Sequence, residues 1–263
     1  MKIIDNQDIL LINQIISVNY LNYFHFQNIE KILEYLKDNY NTKNNNEYNG
    51  FGKMIYENGE YYIGEWKDGL RHGKGLLFYN NAILMFFGNF IGDKFEGSGA
   101  IENQIYDYYI GEWKDNMRDG KGILNYKNGR KYKGGWVKDK VSGYGKVDYE
   151  NGDCYIGEWK DGSRHGKGKY IYANGEFYIG EFKDGLRHGK GVFYYEDGNI
   201  KYEGEFIKDK FEGKGKYFYE NGEYYDGDWK FGKKHGQGII YYKNKNIKCE
   251  GKFINNKFEG KGK

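Results

Sequence analysis

Tyr155-Ile156-Gly157-Glu158-Trp159-Lys160-Asp161-Gly162-Ser163-Arg164-His165-Gly166-Lys167-Gly168-Lys169-Tyr170-Ile171-Tyr172-Ala173-Asn174-Gly175 is the stretch that decides the fold. Asp161-Gly162 and Asn174-Gly175 are dipeptides that accept the positive φ of tight hairpin turns. Between them lie two stretches of strand length. Counting in twos, Tyr155, Gly157 and Trp159 share one face, and Ile156 and Glu158 take the other. Glycine normally weakens a strand. Beside large rings it makes sense as a floor over which they lie flat.

The stretch recurs. Tyr-x-Gly-x-Trp stands at Tyr62/Trp66, Tyr109/Trp113, Tyr132/Trp136, Tyr155/Trp159 and Tyr225/Trp229, with variants at Phe86/Phe90, Tyr178/Phe182, Tyr202/Phe206 and Cys249/Phe253. Successive starts lie 23 or 24 residues apart. A second marker, Gly-x-Gly, keeps step from Gly73/Gly75 to Gly260/Gly262, with an extra copy at Gly50/Gly52. Two independent markers in phase over most of the chain identify a repeat architecture. Nine two-strand units, at about 4.8 Å per strand, predict a sheet on the order of 85 Å long.

The pattern resembles the MORN repeat (membrane occupation and recognition nexus), Tyr-x-Gly-x-Trp-x-x-Gly-x-x-His-Gly-x-Gly-x-x-x-Tyr-x-x-Gly. Tyr155, Gly157, Trp159, Gly162, His165, Gly166, Gly168, Tyr172 and Gly175 match it throughout. The resemblance covers about residues 47–263 and departs at the His position, which is Glu96, Asp119, Ser142, Glu212 or Glu259 in other units. It implies an elongated, often curved single sheet with an aromatic groove. The expected fold is therefore an all-β repeat: an elongated single-layer antiparallel sheet of about nine 23–24-residue β-hairpin repeats. Residues 1–46 read as a separate N-terminal segment. Ile29, Ile32, Leu33 and Leu36 predict a short amphipathic helix over about 28–39, expected to cap the first sheet edge, and 41–46 read as a linker.

Composition supports a thin, ring-packed structure. There are 41 Gly, 29 Tyr and 17 Phe and no Pro among 263 residues, and mean hydropathy is −0.93. Large rings must supply much of the buried area. Net charge is +3; the first 46 residues carry four Lys/Arg against five Asp/Glu, the remainder 37 against 33. That mixed balance argues against a nucleic-acid binder. Cys154 and Cys249 cannot make a disulfide framework and read as packing or surface residues, so a cytoplasmic protein is expected. No apolar run approaches the roughly 20 residues of a membrane-crossing helix, so any membrane contact is expected to be peripheral.

Nothing in the pattern reads as catalytic. His72, His165, His188 and His235 hold one repeat position, so equivalent imidazoles are two strands apart, roughly 9–10 Å. That is too far to share a metal with ligands near 2 Å. A structural role, bonded near the turn, is expected. No Gly-Lys is followed by Ser or Thr, and strand rather than helix follows each Gly-x-Gly, which excludes the common phosphate loops. In larger MORN proteins the repeats accompany a catalytic domain, and the 46-residue preface leaves no room for one. No catalytic residue, metal or cofactor is expected.

Two functions are weighed. The first is a non-enzymatic protein-interaction scaffold using an aromatic face of Tyr62, Trp66, Tyr109, Trp113, Tyr132, Trp136, Tyr155, Trp159, Tyr178, Phe182, Tyr225 and Trp229. The alternative is a peripheral binder of anionic phospholipid, using a basic ladder of Arg71, Lys74, Arg118, Lys121, Arg164, Lys167, Arg187 and Lys190 along one side. Glu65 and Lys74, with Glu112/Lys121, Glu158/Lys167 and Glu181/Lys190, are expected to pair across strands. The near-neutral balance favours the scaffold. The array stops at Lys263 in mid-repeat, so homodimerisation through the C-terminal repeats is expected. The resemblance implies placement at membrane or cytoskeletal structures.

Overall fold

A computed structural model describes residues 49–81, 84–102 and 107–260. The helix expected over 28–39 lies outside the described residues. The rest is strand and turn, and no helix occurs among the described residues. Two compact units are present.

The first unit, Met1–Lys127 with Val137–Asp139, carries β1 (Gly50–Ile55), β2 (Tyr61–Lys67), β3 (Leu70–Phe78), β4 (Leu84–Ile91), β5 (Lys94–Glu102), β6 (Asp107–Lys114) and β7 (Met117–Tyr126). Each strand pairs antiparallel with the one before it.

The second unit, Asn128–Trp136 with Lys140–Lys263, begins in β8 (Lys131–Val137) and continues through β9 (Lys140–Asp148), β10 (Cys154–Lys160), β11 (Ser163–Ile171), β12 (Phe177–Lys183), β13 (Leu186–Tyr194), β14 (Ile200–Ile207), β15 (Lys210–Phe218), β16 (Tyr224–Lys230), β17 (Lys233–Tyr241), β18 (Ile247–Ile254) and β19 (Lys257–Glu259). From β10 onward every strand is again antiparallel to its predecessor. The expected meander of hairpins is what forms.

Two turn types alternate. Asp161 and Gly162 join β10 to β11 with φ of 49° and 85°, the two-residue type I′ turn whose twist suits flanking strands. β9 and β10 are joined by a three-residue loop. There Gly152 N–H donates to Tyr149 O (3.1 Å) and Tyr149 N–H to Asp153 O (2.9 Å). Asn151 Oδ1 accepts from Asp153 N–H at 3.1 Å, a local bond that fixes the bend. The same side-chain bond recurs from Asn58 to Asn244.

Each unit's core is a row of rings lying on paired glycines. Gly157 stands opposite Gly168, and Tyr155 lies across them so closely that a Cβ on Gly168 would sit 2.5 Å from the ring. The hydroxyl of Tyr155 donates to Glu158 O at 2.9 Å, and the Tyr155 side chain is fully buried. Trp159 and Phe182 meet it edge-on at 5.2 and 5.0 Å, the geometry favoured by the ring quadrupole. The indole N–H of Trp159 reaches back to Gly145 O at 3.3 Å, as Trp66, Trp113 and Trp229 reach Gly52, Gly99 and Gly215.

Beyond the glycine pair the register shifts by two residues, giving a bulge on the second strand of the hairpin. Gly166 adopts φ 55° there, and the Glu158 carboxylate fills the bulge by accepting Lys167 N–H at 3.0 Å. Glu65 does the same for Lys74 N–H, and Asp228 for Gln237 N–H. The expected Glu–Lys pairing within a hairpin is thus realised through the lysine's backbone. Across to the next hairpin the side chains do meet, with Lys214 Nζ 2.7 Å from Asp228 Oδ1.

Candidate functional site

The twelve aromatic residues expected to line a groove are the core instead. Tyr62, Trp66, Tyr109, Trp113, Tyr132, Trp136, Tyr155, Trp159, Tyr178, Phe182, Tyr225 and Trp229 are all buried, none above 7% exposed. Glycine at the paired positions lets each phenol lie flat, and the next edge-on ring closes over it. These residues hold the fold and offer a partner almost no area.

The accessible rings on that face belong to a second row, flanking the first on the side of the three-residue loops. In the second unit it comprises Tyr149, Tyr170, Tyr172, Phe193, Tyr195, Tyr217 and Tyr219, each half-buried. Tyr149 and Tyr170 are 6.1 Å apart between ring centroids, Tyr170 and Tyr172 4.7 Å, Tyr172 and Phe193 5.6 Å, and Tyr217 and Tyr219 4.9 Å. Other repeats carry an aliphatic residue at the position of Tyr170: Leu77 and Leu124 in the first unit and Val147 in the second are buried. The signal was present in the sequence as aromatic pairs two places apart, Tyr170/Tyr172, Phe193/Tyr195 and Tyr217/Tyr219, before the turns at Asn174-Gly175, Asp197-Gly198 and Asn221-Gly222.

The row carries cations and hydroxyls. Arg164 lies 4.8 Å over Tyr170, Arg187 5.5 Å over Phe193, and Lys201 Nζ about as close to Phe193 and Tyr195, at 5.1 and 5.0 Å. Asp153 Oδ2 accepts the Tyr170 hydroxyl and Oδ1 accepts Ala173 N–H at 2.9 Å. Burial pushes the Asp153 carboxyl up, but the bonds from Tyr170, Ala173 and Asn151, with the charge of Arg164, outweigh it and hold the group below its ordinary value. Burial pushes the Tyr170 phenol up, and Asp153 adds to that shift.

The basic ladder does not form along one side. Arg71 pairs opposite Trp66, Arg118 opposite Trp113, Arg164 opposite Trp159 and Arg187 opposite Phe182, all on the ring face. Lys74, Lys121, Lys167 and Lys190 precede the ring-facing second glycine by one residue and take the opposite face. There Lys167 and Lys190 line an open depression with Glu158, Glu181, Ile156 and Ile179. Lys167 stands across from Glu181, and Lys190 across from Glu205. Acid and base therefore alternate along that face.

Three of the four arginines are latched to aspartates. Arg71 Nε donates to Asp93 Oδ1 at 2.9 Å, Arg118 Nε to Asp139 Oδ1 at 2.9 Å and Arg187 Nε to Asp209 Oδ1 at 3.0 Å. Each aspartate sits in the next type I′ turn, so these pairs latch one hairpin to the next. The guanidinium planes also cover the core rings, Arg71 lying 5.4 Å from Phe90 and Arg187 5.4 Å from Phe206.

A related latch explains the departures at the His position. Glu96, Asp119 and Glu212 accept the backbone N–H of Asp115, Lys138 and Phe231 in the following turn. The four imidazoles do not follow suit: among the described residues none makes a hydrogen bond, and His235 Nδ1 is buried without a partner. The expectation of an imidazole bonded near the turn is corrected accordingly. Among the described residues no group of three His, Cys, Asp or Glu is placed to hold a metal ion. Burial, followed by Asp148, pushes the Cys154 thiol up, which disfavours the nucleophilic thiolate.

The model of the MORN repeat matches nine segments, 43–61, 62–81, 109–129, 132–154, 155–177, 178–200, 202–224, 225–247 and 249–263. The chain belongs to the MORN-repeat family. MORN repeats are non-enzymatic interaction repeats. Between matched residues 81 and 109 the structure supplies a further unit, with Gly88 opposite Gly99 and Phe86 in the ruler position. There Phe86 stacks on Phe95 at 3.8 Å.

Among solved structures, the wild-type TCP10 domain of Danio rerio CPAP is similar at 11% identity, covering 77% of this chain and 100% of that chain with a TM-score of 0.37. The TCP domain of Drosophila melanogaster SAS-4 (dCPAP), in complex with a proline-rich motif of Ana2, is similar at 14% identity, covering 57% and 87% with a TM-score of 0.30. At such TM-scores nothing is carried over to this MORN chain. A search of the curated proteins finds no match. No helix among the described residues is long and apolar enough to cross a membrane.

Proposed function

We propose that this MORN array is a non-enzymatic scaffold that binds a protein partner along the half-buried aromatic row of its second unit. The carrying observation is the run from Tyr149 through Tyr170 and Tyr172 to Phe193, in ring-to-ring contact and partly open. Rings with one buried and one open side bring large contact area at low entropic cost, which is why they dominate interface energetics. Hydroxyls and cations at the margin supply polar contacts. The lipid-binding alternative has weaker support. Its arginines lie on the ring face, three of the four latched to turn aspartates, and its lysines alternate with glutamates on the other.

Co-purification of partners with the full chain and with a Tyr172→Ala, Tyr195→Ala, Tyr219→Ala variant tests the reading. Loss of specific partners, with the far-ultraviolet circular dichroism spectrum unchanged, is expected. Retention of every partner by the folded variant overturns it. Co-sedimentation with anionic liposomes, lost on Lys167→Glu and Lys190→Glu, would instead favour the lipid reading.

A further inference from the structure

The repeats of this chain can be compared with one another at the arginine latch. In three of them one aspartate oxygen receives two donors from the same arginine, the backbone N–H and Nε. The distances are 2.9 and 2.9 Å for Arg71 on Asp93, 3.0 and 2.9 Å for Arg118 on Asp139, and 2.9 and 3.0 Å for Arg187 on Asp209. A third donor, Nη2, reaches the backbone carbonyl of that aspartate at 3.0–3.2 Å. Where the arginine is absent, so is the acid. Val141 and Phe211 face Gly162 and Gly232, and Phe95 and Lys234 use the neutral Oδ1 of Asn116 and Asn256.

Arg164 alone breaks the rule among the described residues. Its Nη2 keeps the bond to the turn carbonyl, here of Gly185. But residue 185 carries no carboxylate, so among the described residues the Arg164 backbone N–H and Nε have no acceptor. The space for one is open: a Cβ on Gly185 would meet nothing within 4 Å. The guanidinium is already fixed, 4.8 Å over Tyr170, 5.6 Å over Phe182 and 5.8 Å over Tyr155. The acid nearest in influence, Asp153, spends its oxygens on Tyr170, Ala173 and Asn151 and makes no ion pair with Arg164.

We infer that Arg164 and Gly185 form an open carboxylate niche, which takes an Asp or Glu side chain of the protein partner bound on the adjoining aromatic row. The inference rests on the scaffold reading for the identity of the ligand's owner. The chemistry is set by the sibling repeats, where a carboxylate oxygen occupies the same two donors. Tyr170 belongs to both the niche and the aromatic row, so an acidic residue beside an apolar or aromatic one would engage both. Such charge-assisted contacts add orientation as well as affinity.

The test uses the full chain labelled with nitrogen-15 and reads the arginine Nε–H resonances during titration with acetate. The Arg164 signal is expected to shift saturably while those of Arg71, Arg118 and Arg187 stay still. Gly185→Asp should abolish the shift and move the Arg164 signal towards that of Arg187. The same substitution should weaken capture of any partner by about tenfold or more, the scale of a charge-assisted hydrogen bond. Arg164→Lys keeps the charge, removes Nε and should weaken capture comparably. The niche is overturned if acetate moves no arginine signal, moves Arg187 as much as Arg164, or still acts on Gly185→Asp. A stronger response to inorganic phosphate than to acetate overturns the carboxylate assignment in favour of a phosphate. The titration needs no partner, so its failure is separable from failure of the scaffold reading, which the Tyr172, Tyr195 and Tyr219 substitutions report.

Discussion

Raising the pH should unfold this protein sharply, because its core is made of phenols. Tyr62 and Tyr109 in the first unit, and Tyr132, Tyr155, Tyr178, Tyr202 and Tyr225 in the second, lie at or below 1% exposure. Burial drives each phenol's pKa well above its ordinary value. In the unfolded chain the same groups lose their protons near pH 10. Above that pH the unfolded state binds fewer protons than the folded one. Stability is therefore fully present below about pH 10 and is lost as pH rises towards the folded values. Each such tyrosine contributes a slope of about 1.4 kcal/mol per pH unit. Two of them give the first unit about 3 kcal/mol per pH unit, and five give the second about 7. A domain of ordinary stability, about 5–15 kcal/mol, is exhausted within one to a few pH units of the onset. Phenolate absorbance and far-ultraviolet circular dichroism, followed together through an alkaline titration, provide the assay. A cooperative step is expected, in which the seven ionise together as the sheet melts. The reasoning is refuted if every tyrosine titrates in one gradual phase while the strand signal persists.

Four single substitutions and one double substitution extend the argument to the backbone and the latches, each checked by urea denaturation. Gly191→Ala should cost about 3 kcal/mol, since its Cβ would lie 2.2 Å from the Tyr178 hydroxyl. Gly185→Ala, with open space around its Cβ, should cost only the strain of its φ of 84°, about 1 kcal/mol. Phe231→Asn should gain about 1 kcal/mol, because Phe231 is 66% exposed and held at φ 53° in a turn where asparagine is at ease. Asp209→Ala should cost about 1–2 kcal/mol by stranding Arg187, whereas Arg187→Phe combined with Asp209→Asn should stay near native, since Phe211 already covers Tyr202 at 3.8 Å.

The fold was legible because two markers with different physical duties kept the same period. Tyr-x-Gly-x-Trp marks the ring row and Gly-x-Gly marks both the floor beneath it and the bulge beside it. Turn dipeptides then fixed the hairpins. The site was less legible. Alternation reports which side chains share a face, and it correctly grouped Tyr155 with Trp159. It does not report whether a face stays open. Here the missing Cβ atoms of Gly157 and Gly168 bring the ring down onto the backbone, and Phe182 of the following hairpin covers it. That closure depends on contacts between repeats, which a pattern within one repeat does not contain. The ladder is a different case. Arg164 and Lys167 are three residues apart in a strand, so counting in twos already separates their faces; the two-residue bulge preserves that parity.

What a repeated position does is best read from the units that vary it. The site of Arg71, Arg118, Arg164 and Arg187 is held by Phe95, Val141, Phe211, Lys234 and Phe258 elsewhere. Phe95 and Phe211 lie flat on Phe86 and Tyr202 at 3.8 Å, where an arginine plane would otherwise cover the ring. The shared duty is thus to cover the ring, and positive charge is one means of doing it. Charge that is interchangeable with a phenyl ring is not selected for an external anion. The turn aspartates confirm the direction of that logic: they appear at Asp93, Asp139 and Asp209, each one repeat after an arginine. Arg164, which faces Gly185 where its sibling arginines face an aspartate, is then the one arginine of this set among the described residues left to be completed from outside.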